Sequence, residues 1–332
     1  MYDDDWRVSF SGIAWRTPVT LNRRQRLMVR MLGNVMKATP EQLRSEMFER
    51  RIHPFMAGAF KKLPIAIGIG GRSFPLRKPT RRNGRFEDTM IIPSSAIDAA
   101  LSQQSASDDW QSTRTISFDI HSREKEIPLA RGTLFLIPRF GVSVISDIDD
   151  TIKDSQVGNR RELLANTFLR EFRSIEGMAE VYQQWATQGA AFHYVSSSPW
   201  QLFDALKAIN TELGFPHGTM HLRNFRLRDQ ILNRFIVRRR GKAVEIQKLA
   251  EAMPDREFIL IGDSGEKDPR IYRKICRKYP DRVRGVFIRS VDHKPFQEEH
   301  TYKLAKSLPQ GVVAAFRSAD ELLESANQLI LQ

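Results

Sequence analysis

Asp147-Ile148-Asp149-Asp150-Thr151 sets two carboxylates two residues apart, directly behind the apolar run Val142 to Ser146. The arrangement recurs along the chain. Ser196-Ser197-Ser198-Pro199 follows Ala190 to Val195, and Gly262-Asp263-Ser264-Gly265-Glu266-Lys267-Asp268 follows Phe258 to Ile261. Lys242 opens a helical stretch between the second and third of these segments. Carboxylates gathered at neighbouring strand ends repel one another unless a hard cation neutralises them. Asp147, Asp149 and Asp263 can supply oxygen ligands to Mg2+, which keeps waters and binds phosphate oxygens. A carboxylate can attack phosphorus, and a second one two residues on can protonate the leaving oxygen and then activate water. A lysine, a hydroxyl and backbone N–H groups would stabilise charge on the transferring phosphoryl group.

Each feature has a plainer reading. A lone Asp-x-Asp is usually an Asx turn, and Asp150 reads as a turn residue. Asp268, immediately before Pro269, suits a helix start as well as a supporting role. Lys242 at a helix start opposes the helix dipole, which favours function over decoration. Ser196-Ser197-Ser198 lacks the flanking glycines of a nucleophile elbow. His217 and His221 are separated by Gly218 and preceded by Pro216, so they do not form a helical zinc pair. Gly68-Ile69-Gly70-Gly71 reads as a tight turn rather than a dinucleotide loop.

The elements that must position these residues follow from periodicity. From Val142 onward, apolar strands alternate with amphipathic helices: helix from Thr167 to Gln188, strand to Val195, helix from Trp200 to Leu213, helix from Lys242 to Ala252. Phe258 to Ile261, Val283 to Ile288 and Val312 to Phe316 are strands, with helices from Pro269 to Lys278 and Ala319 to Leu331. This is an α/β pattern, a parallel sheet with helices on both faces, and ligands then bind beyond the carboxyl ends of the strands. Residues 1–138 differ. Short strand-like runs (6–15, 64–69, 88–93, 113–120, 132–137) surround helices at 24–37 and 40–50, which predicts a smaller β-rich accessory domain ahead of a domain at 139–332.

At 332 residues the chain predicts about two domains. The single cysteine, Cys276, excludes an intramolecular disulfide and a cysteine-based zinc site. No apolar run reaches the roughly 18 residues needed to span a bilayer. The acidic Met1-Tyr2-Asp3-Asp4-Asp5 is not a secretory signal, so the expectation is a reduced, cytoplasmic protein. A net charge of +13 favours anionic partners, either a membrane surface or nucleic acid, but does not choose between them. Two basic runs carry part of that charge. One is Arg77, Lys78, Arg81, Arg82 and Arg85. The other is Arg223, Arg226, Arg228, Arg234 and Arg238 to Arg240, interleaved with Phe225, Leu227, Ile231, Leu232, Phe235 and Ile236.

Asp147 to Thr151 resembles the DxDxT motif of haloacid-dehalogenase-superfamily phosphatases, with Ser196, Lys242 and Gly262-Asp263…Asp268 matching the second, third and fourth motifs in order. The longer stretches Ser146 to Lys153, His193 to Leu202, Gly214 to Leu222 and Gly262 to Pro269 look like App1-type phosphatidate phosphatases, related to lipins. The resemblance covers roughly 132–295 and implies a Rossmann-like, haloacid-dehalogenase-type sheet. It also implies Mg2+-dependent hydrolysis of phosphatidate, or similar lipid phosphates, to diacylglycerol and phosphate. By that resemblance Asp147 is the nucleophile and Asp149 the acid/base. Thr151, Ser196 and Lys242 serve the phosphate. Asp147, Asp149 and Asp263 hold the metal, and Asp268 supports it. An anionic lipid phosphate at a membrane surface is then the expected partner, met by a peripheral enzyme. The rival readings are a phosphatase of nucleic-acid ends or phosphoproteins, and a non-catalytic module that binds anionic lipid.

Overall fold

The computed structural model describes residues 5–16, 18, 20–103, 114–122, 128–156, 158–223, 241–292, 294–308 and 311–330. The chain divides into two compact units. The first draws on the described residues of Met1–Leu21, Met56–Trp110 and Arg114–Leu136. In it β1 (Asp5–Ile13) pairs antiparallel with β6 (Arg85–Pro93), and β2 (Trp15–Arg16) with β3 (Gly58–Ala59). A four-stranded antiparallel sheet runs in the order β5 (Arg72–Pro75), β4 (Ile65–Ile69), β7 (Arg114–Ser122) and β8 (Pro128–Leu136). Val8 and Phe10, alternate residues of β1, enter a core with Ile65, Ile67 and Ile116, and α4 (Ser94–Ser102) adds Ala96, Ile97 and Ala100. The β-rich character expected of this part is present. Gly70 turns the chain between β4 and β5 at φ 54, where a Cβ would fall 2.2 Å from the Ala96 carbonyl oxygen. Part of the first basic run is neutralised locally. Arg77 donates its backbone N–H (2.7 Å) and its guanidinium to the Asp88 carboxylate, and Arg85 pairs with Glu87 at 3.1 Å.

The second unit comprises Asn22–Phe55 and the chain from Ile137. The expected boundary at residue 138 put the early helices with the β-rich part. Instead α1 (Arg23–Met36), α2 (Pro40–Leu43) and most of α3 (Glu46–Met56) belong with the α/β unit. Their tie is partly polar: the buried Arg51 of α3 donates to the carbonyl oxygens of Thr167 (3.1 Å) and Arg170 (2.6 Å). The single helix expected over 40–50 is two, because Ser45 caps a second one by accepting from the Phe48 N–H at 3.2 Å.

Six parallel strands form the sheet of this unit, in the order β11 (Gly218–Arg223), β10 (Ala191–Pro199), β9 (Val142–Ser146), β12 (Glu257–Asp263), β13 (Val283–Arg289) and β14 (Val312–Phe316). The central strands are covered on both faces, so their sequences are nearly continuous apolar runs. On one face Ile145, Leu260 and Val286 pack with Ile246, Leu249, Tyr272, Ile275 and Leu304, from α8 (Gly241–Ala252), α9 (Asp268–Lys278) and α10 (Glu298–Ala305). On the other, Tyr182 of α6 (Met178–Thr187) packs at 5.1 Å against Phe192 with the rings tilted, and its hydroxyl lies 2.8 Å from Ser146 Oγ. There α11 (Ala319–Ile330) lies against α6. The edge strand β11 was not read from sequence. Its residues are all half-buried and alternate polar with apolar, unlike the central runs.

The helix expected from Thr167 to Gln188 is instead α5 (Arg160–Phe168), then an irregular stretch, then α6. Gly177 at φ 76 starts α6. The stretch between pairs with the loop after β9: Asp154 N–H donates to the Arg173 carbonyl oxygen (2.9 Å), and Ile175 N–H to that of Ile152 (2.9 Å). The helix expected from Trp200 begins as a tight 3-10 turn over Trp200–Leu202 and continues as α7 (Phe203–Glu212). No helix of the described residues is long and apolar enough to cross a membrane. The basic segment at 224–240 lies outside the described residues.

Candidate active site

The chain runs from β9 outward to β10 and β11, then returns to pair β12 with the other side of β9. The direction of winding therefore reverses between β9 and β12, and at such a reversal the loops diverge and leave a crevice beyond the carboxyl ends. Asp147 leaves β9 and Asp263 ends β12 at that point, and Asp147 N–H donates to the Ile261 carbonyl oxygen at 2.9 Å. Asp147, Asp149, Thr151, Ser196, Lys242, Asp263 and Asp268 are all buried. A buried polar cluster of this size, set beside an apolar sheet, must be paired throughout or serve a ligand.

Lys242, at the start of α8, reaches three carboxylates. Its Nζ lies 2.8 Å from Asp147 Oδ1, donates to Asp268 at 2.6 and 2.7 Å, and stands 3.9 Å from Glu266. Asp268 opens α9 but does not cap it, since both of its oxygens are taken by Lys242. Thr151 Oγ1 lies 3.4 Å from Asp147 Oδ2. Asp150 faces away as a turn residue at φ 54, its Oδ1 accepting from the Ser155 and Gln156 N–H groups at 2.8 and 2.7 Å.

Asp149 sits in a separate cage. Lys153 Nζ (2.9 Å) and Ser155 Oγ (2.6 Å) donate to Oδ1, while Ser196 Oγ (3.1 Å) and Ser198 Oγ (2.6 Å) donate to Oδ2. Lys153 is itself buried, its ammonium 4.5 Å over the Phe172 ring, whose other contact is Arg51 at 3.8 Å. Lys153, Ser155, Ser198 and Glu266 were not singled out in the sequence. Lys153 is four residues beyond Asp149, but only the left-handed turn at Asp150 brings it back.

The electrostatics separate the two carboxylates. Burial pushes the Asp147 carboxyl up to about 7 although the Lys242 charge opposes it, and Glu266 adds repulsion. Asp263 rises to about 9 through burial and the nearby Asp268 and Asp147, and Glu266 rises to about 7, again mainly by burial. Burial would also raise Asp149, yet the Lys153 charge and the Ser155 and Ser198 hydroxyls outweigh it and hold that carboxyl well below its usual range. Burial disfavours the Lys242 ammonium, but Asp147 and Asp268 keep it charged.

Asp147, Asp263 and Glu266 each bring a carboxylate oxygen within 4.8 Å of the others, and Asp263 Oδ2 has no hydrogen-bond partner among the described residues. Hard oxygen donors that burial and mutual repulsion leave short of charge compensation fit a divalent cation such as Mg2+. Asp149, expected among the metal ligands, does not join this group because its side chain is already fully engaged. Glu266 stands there instead, fixed by its N–H donating to Asp263 Oδ1 (2.8 Å) and by Ser197 Oγ donating to its Oε2 (3.2 Å).

Gly262 makes this packing feasible. A Cβ there would lie 2.2 Å from Asp268 Oδ2. Gly262→Ala is therefore expected to push Asp268 off Lys242 and to destabilise the unit by about 1–3 kcal/mol. A thermal melt checks this, and an unchanged midpoint would show that Asp268 has room to move.

One layer below, a polar ladder crosses the sheet. Arg256 Nε donates to Ser143 Oγ (2.8 Å), which lies 3.3 Å from His193 Nε2. His193 Nδ1 meets Thr219 Oγ1 (2.7 Å), which in turn meets His221 Nε2 (2.8 Å). Burial lowers both histidines, His221 to about 4, so they stand neutral. His221 thus joins a structural ladder beneath the site.

The fold and site define a parallel α/β unit with a carboxylate-and-lysine centre at the reversal point of its sheet. Residues 142–290, which hold the whole centre, match the family described as phosphatidate phosphatase APP1, catalytic domain, and this stretch is an App1-type catalytic domain. An uncharacterized protein of Schizosaccharomyces pombe is 30% identical over 223 residues, 65% of this chain and 36% of that protein. Phosphatidate phosphatase APP1 of Saccharomyces cerevisiae is 32% identical over 155 residues, 45% of this chain and 26% of that protein. The chain thus spans about a third or less of the length of these relatives. A solved structure of an uncharacterized protein from Listeria monocytogenes serotype 4b aligns at a TM-score of 0.39 and 12% identity, over 57% of this chain and 98% of that one, too loosely to inform the fold.

Proposed function

We propose that this chain is a Mg2+-dependent phosphatase of the haloacid-dehalogenase type, which hydrolyses phosphatidate or a similar lipid phosphate to diacylglycerol and phosphate through an aspartyl-phosphate. The observation that carries the reading is Asp147. It is the carboxylate at the reversal point, next to a buried lysine, with two further carboxylates in reach. Mg2+ held by Asp147, Asp263 and Glu266 would offset the negative charge that an incoming phosphate brings to an already acidic pocket. Lys242 holds Asp147 in place and offers an ammonium to a phosphoryl oxygen. Asp147 attacks phosphorus, the phosphorus–oxygen bond to glycerol breaks, and the leaving oxygen takes a proton from Asp149, which must first take that proton from water as the incoming phosphate draws Lys153 and the serine hydroxyls off its carboxylate. Water then attacks the aspartyl-phosphate and gives its proton back to Asp149. The cage of Lys153 and three serines keeps Asp149 ionised, the state this second step requires. Ser196, whose hydroxyl donates to Asp149, and Thr151, beside Asp147, would turn their hydroxyls to the phosphoryl oxygens.

Phosphate release from phosphatidate in mixed micelles is expected with Mg2+ and lost with excess chelator. Release from a small phosphate ester but not from the lipid would keep the chemistry and overturn the substrate. Release from phosphorylated nucleic-acid ends or a phosphoprotein alone would favour the first rival reading. Absence of release from every ester would leave the anionic-lipid-binding module.

A further inference from the structure

We infer that the outer face of α1 is a docking surface for an anionic membrane. One side of this helix is committed to the α/β unit: Met28, Gly33 and Met36 are buried, and a Cβ on Gly33 would lie 2.8 Å from Leu43 Cδ1. Beside that buried face lie Leu27, Met31 and Val35, spaced four residues apart and therefore stacked in one stripe, with exposures of 56%, 40% and 39%. Three large apolar side chains aligned in water are not needed by a core that already holds the other face.

The charges beside this stripe name the partner. Arg23, Arg24, Arg26 and Arg30 are all exposed, and none makes an ion pair among the described residues. The helix contains no acidic residue. Local stability does not account for this pattern, because three arginines in the first turn oppose the helix dipole. An arginine edge and an aliphatic stripe sharing the exposed half of one helix suit an interface of acyl chains beneath anionic headgroups.

The helix does not depend on lipid to form. Asn22 and Gln25 make a reciprocal capping box (3.0 and 2.7 Å), and Lys37 closes the far end in a left-handed conformation at φ 52. It is also coupled to the site by a short path. Arg161 of α5 donates to the Met36 carbonyl oxygen at 3.4 Å, and Asn166 of the same helix donates to the Ser155 carbonyl oxygen at 3.3 Å. Ser155 is a member of the cage around Asp149. A helix held on a bilayer would therefore stand one packed element from the loop that carries the proposed chemistry. The inference rests on the preceding functional reading only for what such docking serves. Membrane binding itself needs no turnover.

The test uses the full chain and sedimentation with vesicles, either pure phosphatidylcholine or containing about 30% phosphatidylserine, where each arginine near the surface adds attraction. The parent is expected to bind the anionic vesicles and not the neutral ones. The L27S/M31S/V35S and R23Q/R26Q/R30Q variants are each expected to lose about tenfold or more in apparent affinity, with unchanged melting and unchanged release of phosphate from a soluble ester. Parent-like binding by both variants, or no binding by the parent, would overturn the inference. So would parent self-association that L27S/M31S/V35S abolishes, which would make the stripe an interface between copies. Vesicle binding without release from any ester would instead remove the phosphatase reading and leave the docking surface standing.

Discussion

Asp147→Asn is expected to cut phosphate release by about 10³-fold or more, some 4 kcal/mol of barrier, while leaving the protein as stable as the parent or slightly more so. The two halves of this expectation come from the same geometry. The amide has no free carboxylate to attack phosphorus, so the covalent route closes. It also removes one of several acidic groups crowded into a dry pocket, where burial and neighbouring charge already disfavour ionisation. Lys242 keeps both hydrogen bonds to Asp268, so it is not left as an unpaired buried cation. The measurement pairs phosphate release with a thermal melt in the absence of divalent ions. Full activity in the variant would remove Asp147 as nucleophile. A large fall in melting temperature would show that Asp147 is needed chiefly to neutralise Lys242.

The largest effect on stability is expected at Arg256, whose side chain is 1% exposed. Its guanidinium donates to Ser143 Oγ, to the Pro138 carbonyl oxygen (2.8 Å) and to those of Phe140 and Val142. It thereby pins the residues leading into β9 and begins the polar ladder beneath the site. Arg256→Met would fill much of the volume and strand several buried acceptors. The expected cost is about 3–5 kcal/mol, on the order of 10 °C in melting temperature for a unit of this size. Arg256→Lys is expected to fall between, because an ammonium cannot reproduce the planar fork. Denaturant melts of both variants check the order. Equal losses would mean that the fork geometry is all that matters and the retained charge contributes nothing.

Most of the candidate centre was legible because each of its strands ends abruptly in polar residues. Asp147, Ser196 and Asp263 all follow apolar runs, and period alone shows where such a run stops. Lys242 was marked by its poor fit to a helix start. What remained hidden depends on contacts that no periodicity encodes. Lys153 is buried only because the chain folds back at Asp150 and lays Phe172 beneath it. Glu266 was quoted within its motif, but its nearness to Asp147 follows from the turn held by Asp263 Oδ1. The placement of α1 to α3 was missed for a different reason. Sequence neighbours were assigned to the same unit, whereas Arg51 finds its acceptors more than a hundred residues downstream. The helix expected from Thr167 failed because amphipathic spacing continues through Phe172 and Ile175, which instead pack on the motif loop.

The central position of β9 has a consequence for biosynthesis. β9 is the first strand of its sheet to leave the ribosome, yet its partner on one side, β12, lies about 110 residues later. At roughly 5–20 residues per second, that edge waits on the order of 6–22 s for its mate. During the wait, a short apolar strand offers unpaired amide and carbonyl groups to any neighbouring chain. Translation rate and chaperone supply should therefore govern the yield of this protein more strongly than its final stability does, and a chain stopped short of β12 should precipitate, not retain partial activity.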